Sequence, residues 1–315
     1  MKTPEYSLSP DDDTAAEPGR LSYVIVSPVR DEAAHVRDTI RSVKQQTVQP
    51  RRWIIVDDGS TDETAAIVAE EASAWPVLRL IKRANRGYRR AGAGVMEAFY
   101  AGYQELDVVD WDLLVKLDGD LSLPTDYFES CISEFAKRPK LGIGGGLVCK
   151  LSGDQLLPES PSDPVFHVRG AVKMYRVECW RDIGGLVKGP CWDSIDELHA
   201  NMLQWETQTF IEVKAHHKRP AGAAYGPLKD WAKGGRGNYI TGYHPLFFFV
   251  KCLRRLLRGE VTAAAGLSYG YMAAQLRREK RMVSKTLMTY IRREQLRTLL
   301  GRQTLWAKSV RDRPA

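Results

Sequence analysis

The chain has 315 residues and 43% hydrophobic content, enough for one large domain or a domain with a substantial appendage. Five scattered cysteines (Cys131, Cys149, Cys179, Cys191, Cys252) form no CxxC pair, which argues against a zinc ribbon or disulfide framework and for a reducing compartment. The net charge of +7 is uneven: residues 251–315 carry sixteen Lys/Arg against four Asp/Glu, while residues 1–250 are mildly acidic. A basic C-terminal segment points to an anionic partner, membrane lipid or nucleic acid. No run reaches the ~18 apolar residues of a membrane span. Residues 1–20 are polar, acidic and proline-containing, and read as a disordered tail, not a secretory signal.

Leu21–Val26 is short and β-branched and reads as a buried strand closed by Ser27-Pro28. Val29-Arg30-Asp31-Glu32 follows, then a helical pattern in which His35, Val36, Ile40 and Val43 share a face. Trp53–Val56 is a second apolar strand, ending in Asp57-Asp58-Gly59-Ser60-Thr61-Asp62. Thr61 or Asp62 is placed to cap a helix over Glu63–Ser73. Val77–Ile81 is a third strand, leading into a basic loop over 82–90 that contains Gly87 and Arg89. A small-residue helix over Ala91–Leu106 precedes the fourth strand, Leu113–Leu117. This alternation predicts an α/β fold: a mostly parallel sheet with helices on both faces.

The fourth strand ends in Asp118-Gly119-Asp120. Carboxylates this close repel unless a cation or proton sits between them. Hard divalent cations such as Mg²⁺ or Mn²⁺ prefer oxygen ligands and share their shell with substrate phosphates. An acidic turn after a core strand is the alternative. Asp57-Asp58 lies on the same rim, where open α/β sheets bind ligands. Gly92-Ala93-Gly94 follows a basic loop and has Glu97 where a dinucleotide fingerprint needs its third glycine. Gly142–Gly146 follows no clear strand, though Leu147-Val148 suggests one.

Ser-Pro-Val-Arg-Asp-Glu at 27–32, Val-Asp-Asp-Gly-Ser-Thr-Asp at 56–62 and Leu-Asp-Gly-Asp at 117–120 together resemble family 2 glycosyltransferases of the GT-A fold, the bacterial polysaccharide and glycoconjugate type. The resemblance covers about residues 21–235. It implies an inverting transfer of a sugar from a nucleotide-diphospho-sugar donor (UDP, GDP or dTDP) to a glycan or lipid-linked acceptor. Asp57 and Asp58 would lie beside the nucleoside, with Pro28, Arg30, Glu32, Gly87, Arg89, Lys116 and Gly119 lining the donor cleft. Asp118 and Asp120 would hold Mg²⁺ or Mn²⁺, with His217 as a further ligand. The family's catalytic aspartate follows a glutamate at a helix start; here the segment is Trp192-Asp193-Ser194-Ile195-Asp196-Glu197. Ile195 replaces the glutamate, Asp196 keeps the base position, and Glu197 and Asp193 stand as alternatives. Lys173 and Arg176, in the region between metal site and base, face either phosphate or water.

The glycine-rich, basic stretch Lys229–Tyr239 reads as a mobile lid, with Lys233 and Arg236 reaching the pyrophosphate. The expected division is a GT-A domain over 21–240, nucleotide-binding to 120 and acceptor-binding beyond, then a basic amphipathic helical extension over 241–315. That extension suits an anionic membrane surface, giving a cytoplasmic protein held on the inner face of the cytoplasmic membrane; packing on the catalytic domain is the alternative. No recognition motif supports nucleic acid.

Overall fold

The computed structural model describes residues 21–87, 92–219 and 226–307. The tail expected over 1–20, and Arg89, lie outside them. The first half alternates as expected: β1 (Tyr23–Val29), α1 (Val36–Lys44), β2 (Arg52–Asp57), α2 (Thr64–Ala74), β3 (Leu78–Lys82), α3 (Ala93–Gln104), β4 (Leu113–Leu117) and a short β5 (Leu121–Ser122). β1 runs between β2 and β4, and β2 beside β3, all parallel. Successive β1 residues serve opposite faces. Tyr23 and Ile25 pack with Val36 and Ile40 of α1 and Val68 of α2. Val24 and Val26 pack with Met96 and Phe99 of α3. Burial on both faces is why these strands read as continuous apolar runs.

β1 does not stop at Ser27-Pro28. It continues to Val29, with Ser27, Pro28 and Val29 in register with Ile55, Val56 and Asp57 of β2. The Val29 carbonyl accepts from the Asp58 N–H on the β2 side. Alternation turns Pro28 to the other side, where pairing with β4 has ended at Val26–Lys116. Its missing N–H therefore costs no ladder bond.

The second half adds α4 (Tyr127–Lys137), β6 (Leu141–Ser152), β7 (Gln155–Pro158), β8 (Val172–Arg176), α5 (Val177–Asp182), α6 (Trp192–Met202) and β9 (Glu206–His217). The strand order is β3-β2-β1-β4-β8-β6-β9-β5, with β7 a hairpin on β6. The parallel expectation holds for the first four strands. Beyond β4 only β6–β9 is parallel; β4–β8, β6–β8, β6–β7 and β5–β9 are antiparallel. Gly142–Gly146 lies inside β6, not in a loop. A Cβ at Gly144 would sit 2.6 Å from Phe210, and one at Gly145 would sit 2.7 Å from the Val172 carbonyl. These glycines let neighbouring rings and backbone approach the strand closely.

The C-terminal part is helical: α7 (Pro227–Ile240), α8 (Pro245–Leu257), α9 (Val261–Leu276), α10 (Lys285–Leu299) and a 3₁₀ turn at Leu305–Ala307. The stretch expected to be a lid is the helix α7. Its glycines serve a helix crossing: a Cβ at Gly235 would overlap the Leu267 carbonyl of α9, and one at Gly270 the Ala232 carbonyl of α7. Tyr239 and Ile240 of α7 share a core with Phe248 and Cys252 of α8 and with Leu267 and Tyr271 of α9. α10 packs on the catalytic half, Leu287 and Ile291 meeting Ile195 and Leu198 of α6. The extension thus docks on the domain through part of its apolar surface. On α8, however, Leu246, Phe249, Leu253, Leu256 and Leu257 remain exposed. Among the described residues no helix is long and apolar enough to cross a membrane.

Candidate active site

The first two strand ends are laced together. The Asp31 N–H donates to Ser60 Oγ at 2.9 Å, the Thr61 N–H to Asp31 Oδ1 at 2.9 Å, and the Ala33 N–H to Asp62 Oδ2 at 3.1 Å. The N-cap of α2 is Glu63, not Thr61 or Asp62 as expected, and Asp62, one residue earlier, accepts from the Thr64 N–H at 3.0 Å. Asp57 and Asp58 are both buried but differ in partners. Asp57 accepts from the backbone and hydroxyl of Ser60, which fixes the turn. Asp58 pairs with Arg83 at 2.6 Å and Arg86 at 2.5 Å. Arg30 donates to Asn85 Oδ1 at 3.1 Å, and Gly87, in the left-handed region at φ +77°, donates its N–H to the same oxygen at 2.8 Å. The expected nucleoside-side residues therefore do meet at one rim, Arg89 lying outside the described residues.

The metal-type pair sits one strand over. Lys116 is almost wholly buried, and its ammonium is held by Asp118 and by the Gly170 carbonyl at 2.5 Å. Asp120 lies 3.3 Å from His217 Nε2 and 3.4 Å from Arg219. β5 brings it there, because Leu121 pairs with His217 of β9. Gly119 is needed for space more than for turning: its Cβ would stand 2.8 Å from Val29 and 3.4 Å from Glu32. Glu32, also paired with Arg219, is pushed up to about 7 by burial and by the Asp120 charge. Burial opposes the charging of His217, but hydrogen bonds to Asp120 and Glu159 outweigh it and raise its pKa to about 9. Among the described residues no three-residue cluster has metal-ligand geometry.

The expected base is placed differently from the sequence reading. The Asp196 side chain has no solvent exposure. It accepts from Lys173 Nζ at 3.0 Å and from the Tyr175 hydroxyl at 2.6 Å. Burial and the neighbouring Glu197 raise it to about 6, against the pull of Lys173 and Tyr175. Glu197 is equally buried, held by Lys173 at 2.7 Å, His167 Nδ1 at 2.8 Å and the Val168 N–H at 2.6 Å. Neither carboxylate can meet an acceptor hydroxyl without breaking this network. The carboxylate of the segment that keeps some exposure is Asp193, half-buried in the first turn of α6. A Cβ on Gly170 would stand 3.3 Å from the Asp193 Cβ. Gly170 is also the residue whose carbonyl holds Lys116, the partner of Asp118, so Asp193 adjoins it directly and Asp118 through Lys116. Asp193 shares a helix face with Asp196 and Glu197 but sits one turn nearer the start of α6, where it is only half-buried, whereas 196 and 197 are fully covered.

Three more expectations are corrected. Lys173 binds the buried carboxylates rather than a phosphate, also taking the Asp193 carbonyl at 2.5 Å. Arg176 donates to the Leu141 and Phe135 carbonyls at 3.0 and 2.6 Å. Lys233 and Arg236 lie on α7, with Asp230 at 3.1 Å and Glu279 at 2.7 Å, and not on a lid over a pyrophosphate. Arg219, missed by the sequence reading, carries a basic charge to the acidic pair from the end of β9. Only the β5–β9 pairing puts it there.

Comparison with known proteins bears on the fold and on the family of the first half. Residues 24–170 match the model of glycosyl transferase family 2. The chain is 29% identical to chondroitin synthase from Escherichia coli over 116 residues, 36% of this chain and 15% of that protein. It is 30% identical to poly-beta-1,6-N-acetyl-D-glucosamine synthase from Staphylococcus epidermidis over 116 residues, 36% of this chain and 26% of that protein. It therefore spans only about a quarter or less of either relative. Among solved structures it resembles the mannosyltransferase PcManGT from Pyrobaculum calidifontis in complex with GDP-Man and Mn²⁺, with a TM-score of 0.53 and 17% identity over 90% of this chain and 80% of that one. The strand ends and the solved neighbour thus give the chain a GT-A fold, and its residues 24–170, just under half of its length, are similar to glycosyl transferase family 2.

Proposed function

We propose that this protein is an inverting glycosyltransferase that uses a nucleotide-diphospho-sugar and a divalent cation, with Asp193 as its base. The observation that carries the reading is that Gly170 adjoins Asp193 and, through its carbonyl, the buried Lys116 that pairs with Asp118 at the end of β4. Carboxylates at the second strand end suit the hydrogen-bond donors of a base and ribose. Arg30 and Arg219 supply positive charge near the cleft.

The donor set fits a hard cation. Asp118 and Asp120 offer oxygens, and one Glu32 oxygen is buried without a hydrogen-bond partner among the described residues. His217 joins them only as neutral imidazole, whereas its pairing with Asp120 and Glu159 favours the charged form. Asp118 and Asp120 would hold Mg²⁺ or Mn²⁺, which when bound would offset charge on the departing diphosphate. Asp193 accepts the proton of the acceptor hydroxyl as that oxygen attacks the anomeric carbon and the bond to the diphosphate breaks. Attack from the opposite face inverts the anomer. Asp196, Glu197, Lys173 and Tyr175 lie beneath and hold the start of α6 in place.

The acceptor is a glycan or a lipid-linked molecule. A peripheral position on an anionic membrane surface is supported by the exposed apolar stripe of α8 and the excess of Lys/Arg beyond residue 250. The test is a thermal-shift panel of UDP-, GDP- and dTDP-sugars with Mn²⁺. One donor is expected to raise Tm, the shift vanishing with chelator, and mass spectrometry of that mixture with candidate acceptors is expected to show transfer. No shift with any donor would overturn the reading.

A further inference from the structure

A cavity of about 490 Å³ lies between the catalytic half and the helical extension. It touches Cys191 and Ser194, which flank Trp192-Asp193 at the start of α6, so it adjoins the segment that carries the proposed base. One wall is cationic: Lys251, Arg254, Arg255 and Arg258, spaced i, i+3, i+4 and i+7 along α8 and its C-cap. The other is aromatic, with Phe166 and Phe247 packed against Trp306 at 5.4 and 5.9 Å.

The charges in this cavity do not balance. Arg255 is answered by Glu260 at 2.5 Å. Glu197 is answered by Lys173 and His167. Asp163 lies 3.6 Å from Arg169. Among the described residues no carboxylate pairs with Lys251, Arg254 or Arg258. Lys251 has only the neutral Asn238 Oδ1 at 3.1 Å and the Tyr243 ring at 5.4 Å. Burial, with Arg255 alongside, drives its pKa down to about 8, as for a lysine lacking a counter-anion. Lys251 is half-buried and Arg254 and Arg258 are exposed, so of the three it is the Lys251 charge that partial burial penalises most for want of a counter-anion. Cations on one stripe of a helix, beside an aromatic wall, suit an oxyanion carrying an apolar chain.

We propose that this cavity binds the phosphate group of a phosphate-bearing acceptor, with Lys251 and Arg258 taking the charge and the aromatic wall taking the attached chain. The word acceptor rests on the transfer reading above; phosphate binding does not. The exposed apolar stripe on the same helix favours a lipid headgroup over free phosphate as the source.

The test is calorimetric titration of the full chain, without donor, using geranyl phosphate, geraniol and inorganic phosphate. Geranyl phosphate is expected to bind, geraniol is not, and Lys251→Met is expected to weaken binding by at least about tenfold. Arg258→Gln, at the end of α8, is a second variant expected to weaken it without disturbing the fold. Inorganic phosphate binding as tightly as geranyl phosphate, with the same dependence on Lys251, upholds the site and assigns it to free phosphate. Equal binding by geraniol, no binding by either phosphate, or binding untouched by both variants overturns the proposal. So does competition between geranyl phosphate and the nucleotide donor, since that places the phosphate in the donor cleft. The donor thermal shift is read separately. Failure there with geranyl phosphate still bound removes the transfer reading alone.

Discussion

Lys173 and Asp196 form an ion pair 3.0 Å apart in which neither side chain has any solvent exposure. Their elements, β8 and α6, meet beneath the cleft, and Tyr175 and Glu197 complete the network. Removing one partner of such a pair leaves an uncompensated buried charge, which is costly even though the intact pair adds little net stability. Asp196→Asn is therefore expected to lose about 3 kcal/mol, the low end of the usual range because Glu197 still faces the ammonium. Urea unfolding measures it. An Asp196→Asn variant as stable as the parent would show that the pair does not matter to the fold.

Asp193 has the opposite character, sitting half-buried in a helix's first turn without a side-chain cap bond. Asp193→Asn is expected to keep stability within about 0.5 kcal/mol while lowering transfer by about 10² to 10⁴. Donor binding by thermal shift should be unchanged. Retained turnover would return the base to another residue.

His167 offers a pH test. Its folded pKa is raised from 6.5 to about 9: burial opposes the charged form, but the Glu197 carboxylate at 2.8 Å outweighs it. A raised folded pKa means that the stabilisation is fully present below about pH 6.5 and is lost as pH rises through about 9. The shift corresponds to at most about 3 kcal/mol. Between about pH 6 and pH 9.5 the urea midpoint should fall more steeply for the parent chain than for His167→Gln. Parallel pH profiles would remove His167 from the account.

The α7–α9 crossing depends on the absence of side chains. Gly270→Ala puts a methyl into the Ala232 carbonyl, and backbone cannot swing aside as a flexible side chain can. Overpacking of this sort costs about 1–3 kcal/mol. The variant is expected to loosen the extension first, seen as faster hydrogen exchange in α7 and α9 with the sheet protected. Uniform loss across the chain would mean that the two parts unfold as one unit.

Removing the acidic pair is a further test. Asp120→Ala is expected to abolish the Mn²⁺-dependent part of the donor thermal shift and to leave Arg219 and His217 without their shared carboxylate. A donor shift that remains fully Mn²⁺-dependent would place the cation elsewhere.

Much of this is legible in the chain itself. β1, β2 and β4 are buried on both faces, so each is a short apolar run, and each ends at the rim where an acidic loop begins; β3, at the sheet edge, leads into a basic loop. That pattern is local, and Asp57, Asp58, Asp118 and Asp120 are found where it predicts. The stretch over 192–197 misleads because an apolar neighbour marks Asp196 as the base, whereas exposure depends on what α6 packs against. Ile195 and Leu198 bury one face against α10, and β8 brings Lys173 under Asp196. The glycines of β6 and α7 look like loops because glycine is common there; their reason for being is a carbonyl or ring contributed by residues up to about seventy positions away.

The sequence by itself determined the alternating first half, its parallel sheet and the two acidic loops on one rim of that sheet, because strand burial and turn chemistry are written in neighbouring residues. Only the tertiary structure decided that Asp196 and Glu197 of α6 are buried while Asp193 is half-exposed, that Arg219 and His217 stand at Asp120, and that the basic helix α8 walls a cavity beside α6. Those facts arise from pairings between distant elements, β5 with β9 and α10 with α6, that no local pattern encodes.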